Sequence, residues 1–323
     1  MPGSPAPFAS PAWLPGGHLQ TIYPYFFVPL PSIPYRRERL ATPDDDFIDL
    51  DWVDGAANAP LVVLSHGLEG SSRGHYAISL LAALRQKGWR GVVPHFRGCG
   101  GEANRLARAY HSGDSAEIDW VLRHLKQTHP DVPIYAVGVS LGGNALLKWL
   151  GEQQENAMPV VEAAVAISAP VDLTAAGRVL DKGFNKLAYT RHFLRTLKQK
   201  TELKFHLHAL TLDRAAIRAA ATLHAFDDAY TAPIHGFRDA DDYWQQASSK
   251  PWLKHIQVPT LLINALNDPF LPAAALPASG QVSPSVTLEY PEQGGHVGFV
   301  SGPFPGNLDW LPARILHFLA KTL

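Results

Sequence analysis

Cysteine is almost missing from this sequence: Cys99 is the single one in 323 residues. That excludes an internal disulfide and any multi-cysteine metal site, and it fits a reducing compartment, the cytoplasm being the default. Neither sign of charge is in excess, with 28 lysines and arginines against 29 aspartates and glutamates. No run of basic residues could track a phosphate backbone, so nucleic acid is excluded as a partner. No window offers the roughly 20 consecutive apolar residues that a membrane-spanning helix requires. The opening MPGSPAPFASPAWLPGGHLQTIYPYFFVPLPSIPY lacks a basic start and an unbroken apolar stretch, and its prolines forbid a long helix. It does not read as a signal peptide. Residues 1–35 read as a proline-rich arm packed on the body of the protein, a peripheral lipid contact being the other use of such an aromatic segment.

What is present is a rhythm. At 323 residues the chain can bury one large α/β core or two modest ones. YRRERLATP and DFIDLDWV alternate polar and apolar residues around DDD, as an antiparallel pair does. Then come short, nearly all-apolar runs, APLVVLSHG, GWRGVVPHFRG, DVPIYAVGVS, VEAAVAISAP and VPTLLINAL, the pattern of strands covered on both faces. HYAISLLAALRQKG, SGDSAEIDWVLRHLKQTHP and LGGNALLKWLGEQQ lie between them with apolar residues three and four apart, which predicts helices. Strand alternating with helix predicts an α/β fold with a doubly wound, mostly parallel sheet. The rhythm breaks at residues 172–250, where helix-forming segments rich in aromatics and histidines intervene before the late strands. Length alone disfavours a structureless loop, so the interval predicts a helical cap over the sheet's carboxyl edge, with residues 36–171 and 251–323 as the core.

Gly138-Val139-Ser140-Leu141-Gly142 stands where an apolar strand gives way to an amphipathic helix. This GxSxG setting is that of a nucleophile elbow, in which Gly138 and Gly142 leave room for a sharp turn that lifts the serine above the sheet. A serine hydroxyl is too weakly acidic to attack an ester unaided, so it needs a base and a group that orients the base. On such a sheet the acid and then the histidine follow the serine along the chain. Asp268 in INALNDPFLP follows a late strand, and His296 in EYPEQGGHVGFV follows one further strand-like run, SVTLEYP, with Gly294 and Gly295 letting its loop turn back. Two donors must face the oxyanion. The Leu141 amide, next after the nucleophile, is one candidate, and the Leu68 amide in LSHGLEGSS is the other, with Gly67 allowing close approach and His66 holding the loop.

FRGCGG around Cys99 has neither GxGxxG spacing nor a lysine-serine/threonine ending, which argues against nucleotide binding, and Cys99 reads as an inert turn thiol. FHLH at 205–208 and His224 with Asp227 and Asp228 have no metal-site spacing, so no metal and no cofactor is expected. Asp239, Asp241 and Asp242 read as a solvated surface or a helix start.

PAWLPGGHLQTIYP, SHGLEGSS, HFRGCGG, GVSLGGNALLKWLGE, FDDAYTAPIHGFRDADDYW, NALNDPF and GGHVGF together make the chain resemble the YheT-like branch of the α/β-hydrolases over nearly its whole length. The resemblance implies a carboxylic ester hydrolase for short- or medium-chain esters or acylglycerols, with Ser140, Asp268 and His296 matching the family's triad positions. Three readings follow. The first is a cofactor-free serine esterase acting through an acyl-enzyme. The second is an acyltransferase in which an alcohol, rather than water, meets that intermediate, and the third is a silent member of the fold that only binds a ligand. A small acyl ester is the partner called for, and the oligomeric state is not legible.

Overall fold

The computed structural model describes residues 6–322. One sheet of eight strands forms the centre, in the order β1-β2-β4-β3-β5-β6-β7-β8. β1 (Arg36–Ala41) and β2 (Phe47–Val53) are the antiparallel pair. β3 (Leu61–Ser65), β4 (Arg90–Pro94), β5 (Ile134–Val139), β6 (Ala163–Ile167), β7 (Thr260–Ile263) and β8 (Val286–Glu289) run parallel, and β2 joins them antiparallel to β4.

The all-apolar strand runs are explained by cover on both faces. Along β3, Leu61 and Val63 enter one apolar cluster while Val62 and Leu64 enter the other, and Ile134 and Ala136 of β5 part from Tyr135 and Val137 in the same way. α3 (Ser115–Thr128) and α4 (Leu141–Gln153) close the first face. α2 (His75–Lys87) and α12 (Trp310–Leu319) close the second. The alternation in β2 has a different outcome from simple exposure: Asp49 and Asp51 are buried, held by Arg39 and Arg37 of β1 at 2.7 Å each. Buried carboxylates persist only with such partners.

The arm contributes a helix of its own, α1 (Gly17–Phe26), with Pro24 inside it. Phe8, ahead of it, packs edge-on against Phe299 at 5.3 Å. Between β6 and β7 lie α5 (Leu173–Leu180), α6 (Gly183–Asn185), α7 (Arg191–Leu207), α8 (Arg214–Ala219), α9 (Leu223–Phe226), α10 (Ala232–Ile234) and α11 (Ala240–Ala247). They form a helical cap with its own apolar cluster, in which Leu173, Leu194, Phe226, Tyr230 and Trp244 meet Phe270 of the core. The acidic residues of the DADD run start a helix: Asp239 accepts the Asp242 amide at 2.8 Å and caps α11. Two π-turns, Lys186–Thr190 and Asp227–Thr231, widen the cap helices, and Asp227 and Thr231 of the second line the site described next. Among the described residues no helix is long and apolar enough to cross a membrane.

Candidate active site

β5 ends at Val139 and α4 begins at Leu141, so Ser140 is the one residue between strand and helix. Its backbone sits at φ 53° and ψ −121°, a region that L-residues seldom enter. Two ties hold it there: its amide donates to Ile167 O at 2.8 Å, and its carbonyl accepts the Asn144 amide at 3.0 Å. The flanking glycines make the corner possible, since a Cβ on Gly138 would lie 2.6 Å from Gly142 O and one on Gly142 would lie 2.4 Å from Ser65 O.

His296 arrives on the segment after β8. Its Nε2 is 2.9 Å from Ser140 Oγ, and its Nδ1 is 2.9 Å from Asp268 Oδ2 and 3.1 Å from Oδ1. An ionised carboxylate can only accept, so Nδ1–H donates to Asp268, and the bare Nε2 accepts the Ser140 hydroxyl. Asp268 is held in turn by the Phe270 amide, which donates to Oδ1 at 2.8 Å. The Phe270 ring stacks on the imidazole with centroids 3.9 Å apart and planes 17° from parallel, which restrains the ring's tilt.

The loop after β3 faces this trio. Leu68 and Leu141 line the same cavity as Ser140 and His296. Leu141 opens α4, so its amide has no carbonyl one turn back to serve. The amides on either side of Leu68 are engaged, Gly67 N by the Tyr76 hydroxyl at 3.0 Å and Glu69 N by the Tyr110 hydroxyl at 2.8 Å. Gly67 passes close enough that a Cβ there would stand 3.2 Å from Ser140 Cβ. His66 supports the loop from behind: Nε2 accepts the Phe96 amide at 3.1 Å, and Nδ1–H donates to Gly67 O at 2.8 Å. Burial, and secondarily His95, push its pKa down to about 3, so the ring stays neutral as this bonding requires.

A prediction follows from that burial. The unfolded chain takes up a proton on this histidine below about pH 6.5, and the folded chain does not until about pH 3, so the contribution of His66 to stability falls as pH drops through that interval. The His66 ring resonances are expected to stay constant from about pH 7 to about pH 4.5 in an NMR titration; a shift of the ring carbons in that range would contradict the assigned bonding.

Residues that sequence reasoning missed come from the arm. Thr21 Oγ accepts the His296 amide at 2.8 Å and donates to Gly17 O at 2.6 Å. Gln20, which is buried, accepts the Gly294 amide and the Asn267 side-chain amide at 2.9 Å each, and donates to Leu14 O at 2.9 Å. Asn267 accepts the Gly295 amide at 3.0 Å. α1 thus grips the loops of both His296 and Asp268. HLQTIYP was visible as a motif, but no local pattern says what a polar pair on a helix will touch some 275 residues away. Thr21→Val leaves the His296 amide unpaired, and kcat is expected to fall about tenfold with KM little changed, while Thr21→Ser restores the rate. Equal kcat in all three proteins would remove Thr21 from the positioning apparatus.

The cavity above Ser140 encloses about 110 Å³ and opens to solvent. The core supplies Phe270, and the cap supplies Leu173, Leu180, Phe193, Leu197 and Phe226. Asp227 is a polar exception in this wall; burial pushes its pKa up to about 6 while Thr231 Oγ and Trp244 Nε1 donate to its two oxygens at 2.7 and 2.8 Å.

A model of the alpha/beta hydrolase fold matches residues 60–303. The chain belongs to the α/β-hydrolase family. This α/β-hydrolase is 41% identical over 311 residues to YheT of Escherichia coli (strain K12), named as a presumed esterase, covering 95% of this chain and 91% of that one. It is 30% identical to the human protein named phospholipase ABHD3, covering 95% of this chain and 77% of its relative. An esterase of Pyrococcus furiosus superposes with a TM-score of 0.59 at 18% identity, covering 92% of this chain and 98% of that one, a likeness of fold. Family membership agrees with the strand order and with the serine at the strand-to-helix corner. Cys99 does not line the cavity, and burial pushes its thiol up to about 11 although Lys200 Nζ, 3.3 Å away, acts to lower it.

Proposed function

We propose that the chain is a serine-dependent carboxylic ester hydrolase that cleaves short- to medium-chain acyl esters or acylglycerols through an acyl-enzyme. The observation that carries this reading is the continuous relay from Ser140 Oγ through His296 to Asp268, with 2.9 Å at each link. His296 Nε2 takes the Ser140 proton as Oγ attacks the ester carbonyl, and Asp268 stabilises the imidazolium that forms. The Leu68 and Leu141 amides receive the oxyanion in a cavity partly covered by the cap, where each donor is worth about 10²–10³ in turnover. His296 then gives its proton to the departing alcohol. It next draws a proton from water, whose oxygen attacks the acyl-enzyme; the acyl–Oγ bond then breaks, the carboxylic acid leaves, and His296 returns that proton to Ser140 Oγ. Every step uses groups of the chain and water.

The cavity supports this substrate class. Its wall is mostly apolar, with Asp227 and Thr231 on the cap side and Ser112 on the core side as polar groups, so it favours an uncharged acyl chain, and its small volume favours a short or medium one. The relatives' names, esterase and phospholipase, are those of ester-cleaving enzymes, which supports an ester substrate. The test is a series of p-nitrophenyl esters from acetate to palmitate, together with a fluorophosphonate probe and peptide mapping. Activity is expected to peak at short or medium chains, with the adduct on Ser140. An adduct on another residue, or hydrolysis that survives complete labelling, would overturn the assignment.

A further inference from the structure

The largest exposed apolar side chains are unevenly placed. Leu19, Tyr25, Phe26 and Phe27, at and just after α1, are each more than half exposed, and so are Phe184 and Leu187 of the neighbouring cap. The two groups form one surface, because His18 of α1 packs edge-on against Phe184 at 4.7 Å and bonds the Tyr189 hydroxyl at 3.0 Å, while Ile22 enters the cap's apolar cluster. Scattered apolar residues need no explanation, whereas a contiguous patch of rings does.

Charge is distributed to match. Residues 6–35 contain no Asp, Glu, Lys or Arg, and residues 182–200 contain six lysines and arginines with no acidic residue. Lys182, Arg191 and Arg195 are exposed and are the cations available to a partner, whereas Lys200 pairs with Glu69 and Lys198 donates to Arg218 O and Ala220 O. The carboxylates that flank the stretch are engaged elsewhere: Glu202 pairs with Arg214 and Arg218, and Asp181 accepts the Leu223 and His224 amides. α7 turns Phe193 and Leu197 to the cavity, so the helix that carries Arg191 and Arg195 also walls the site.

We propose that this surface docks on an anionic lipid-water interface, with the aromatic rings entering the headgroup boundary and the cap cations facing the lipid charges. An aromatic belt beside a polybasic segment is the pairing of terms that holds a protein at such an interface. A second copy of the chain fits poorly, because a two-fold contact sets each patch against itself and would bring two acid-free basic segments together. Docking needs neither Ser140 nor His296, so it goes beyond the hydrolase reading. In combination with that reading it brings the cap and the His296-holding helix to the surface from which an acyl ester would enter.

The experiment is co-sedimentation of the full chain with phosphatidylcholine vesicles, with and without one part in three of phosphatidylglycerol, at low and high salt. The anionic vesicles are expected to bind about tenfold or more tightly, and high salt to remove that preference. Phe26→Ser/Phe27→Ser and Arg191→Glu/Arg195→Glu should each lose about tenfold in vesicle affinity while p-nitrophenyl butyrate hydrolysis stays within twofold. Salt and lipid dependence of the unaltered chain test the same point without any variant. Equal binding to both vesicle types, or no binding at all, overturns docking and leaves the hydrolase reading intact. Concentration-dependent dimers that vanish in Phe26→Ser/Phe27→Ser also overturn it and assign the patch to a second copy. Vesicle binding by a chain that cleaves no ester would sink the other reading alone.

Discussion

Ser140→Ala is expected to lower kcat by about 10⁴–10⁶-fold, the scale on which removing a nucleophile from a linked trio acts, while the fold stays intact. The alanine keeps the Cβ and hence the same backbone preferences at φ 53°, and the ties from the residue 140 amide to Ile167 O and from its carbonyl to the Asn144 amide do not involve the side chain. What is lost is the oxygen 2.9 Å from His296 Nε2, and with it any covalent intermediate. The residual rate should come from the amides of Leu68 and Leu141 and from binding alone. Initial rates on p-nitrophenyl butyrate and a thermal melt check both halves. A rate within tenfold of the parent, with an unchanged melt, would mean that the ester is attacked by some other group.

Asp268→Asn should cost about 10⁴-fold in kcat, and the local bonding says why. Asp268 Oδ1 accepts the Phe270 amide at 2.8 Å and Oδ2 accepts His296 Nδ1–H at 2.9 Å. An asparagine must keep its oxygen on the Phe270 amide, which turns its NH₂ toward Nδ1. The imidazole then carries its proton on Nε2, where it can no longer accept from Ser140. Packing is almost unchanged, so stability should move far less than rate. Nitrogen chemical shifts of His296 would report the exchanged tautomer, and kcat would report its consequence. A loss smaller than about tenfold would show that the carboxylate neither sets the tautomer nor stabilises the imidazolium.

Ser140, Asp268 and His296 could be placed in advance because each is tied to a strand end, and strand ends are visible as boundaries of apolar runs. The sheet's parallel order then brings its carboxyl ends together, whatever the distance along the chain. Leu68 and Leu141 were reachable for a related reason: their candidate role belongs to backbone amides, so position relative to the strand matters and side-chain identity does not. Thr21 and Gln20 obeyed no such rule. Their partners lie on the far side of the sequence, and a buried hydrogen bond between remote residues leaves no periodicity behind. Phe270 was equally silent. A ring two residues after an aspartate could as well have joined the cap's core, which it also touches.

The chain's local chemistry prescribes the alternation of strands and helices, the strained serine corner and the order of acid and base, because backbone sterics and hydrophobic period act over a few residues at a time. The close fit of the arm against the two loops, the ring stacked on the imidazole, the cavity's shape and the joining of an uncharged aromatic helix to a basic cap all depend on contacts between segments that meet only after collapse. No single segment contains the information for them, since each is a property of two surfaces at once.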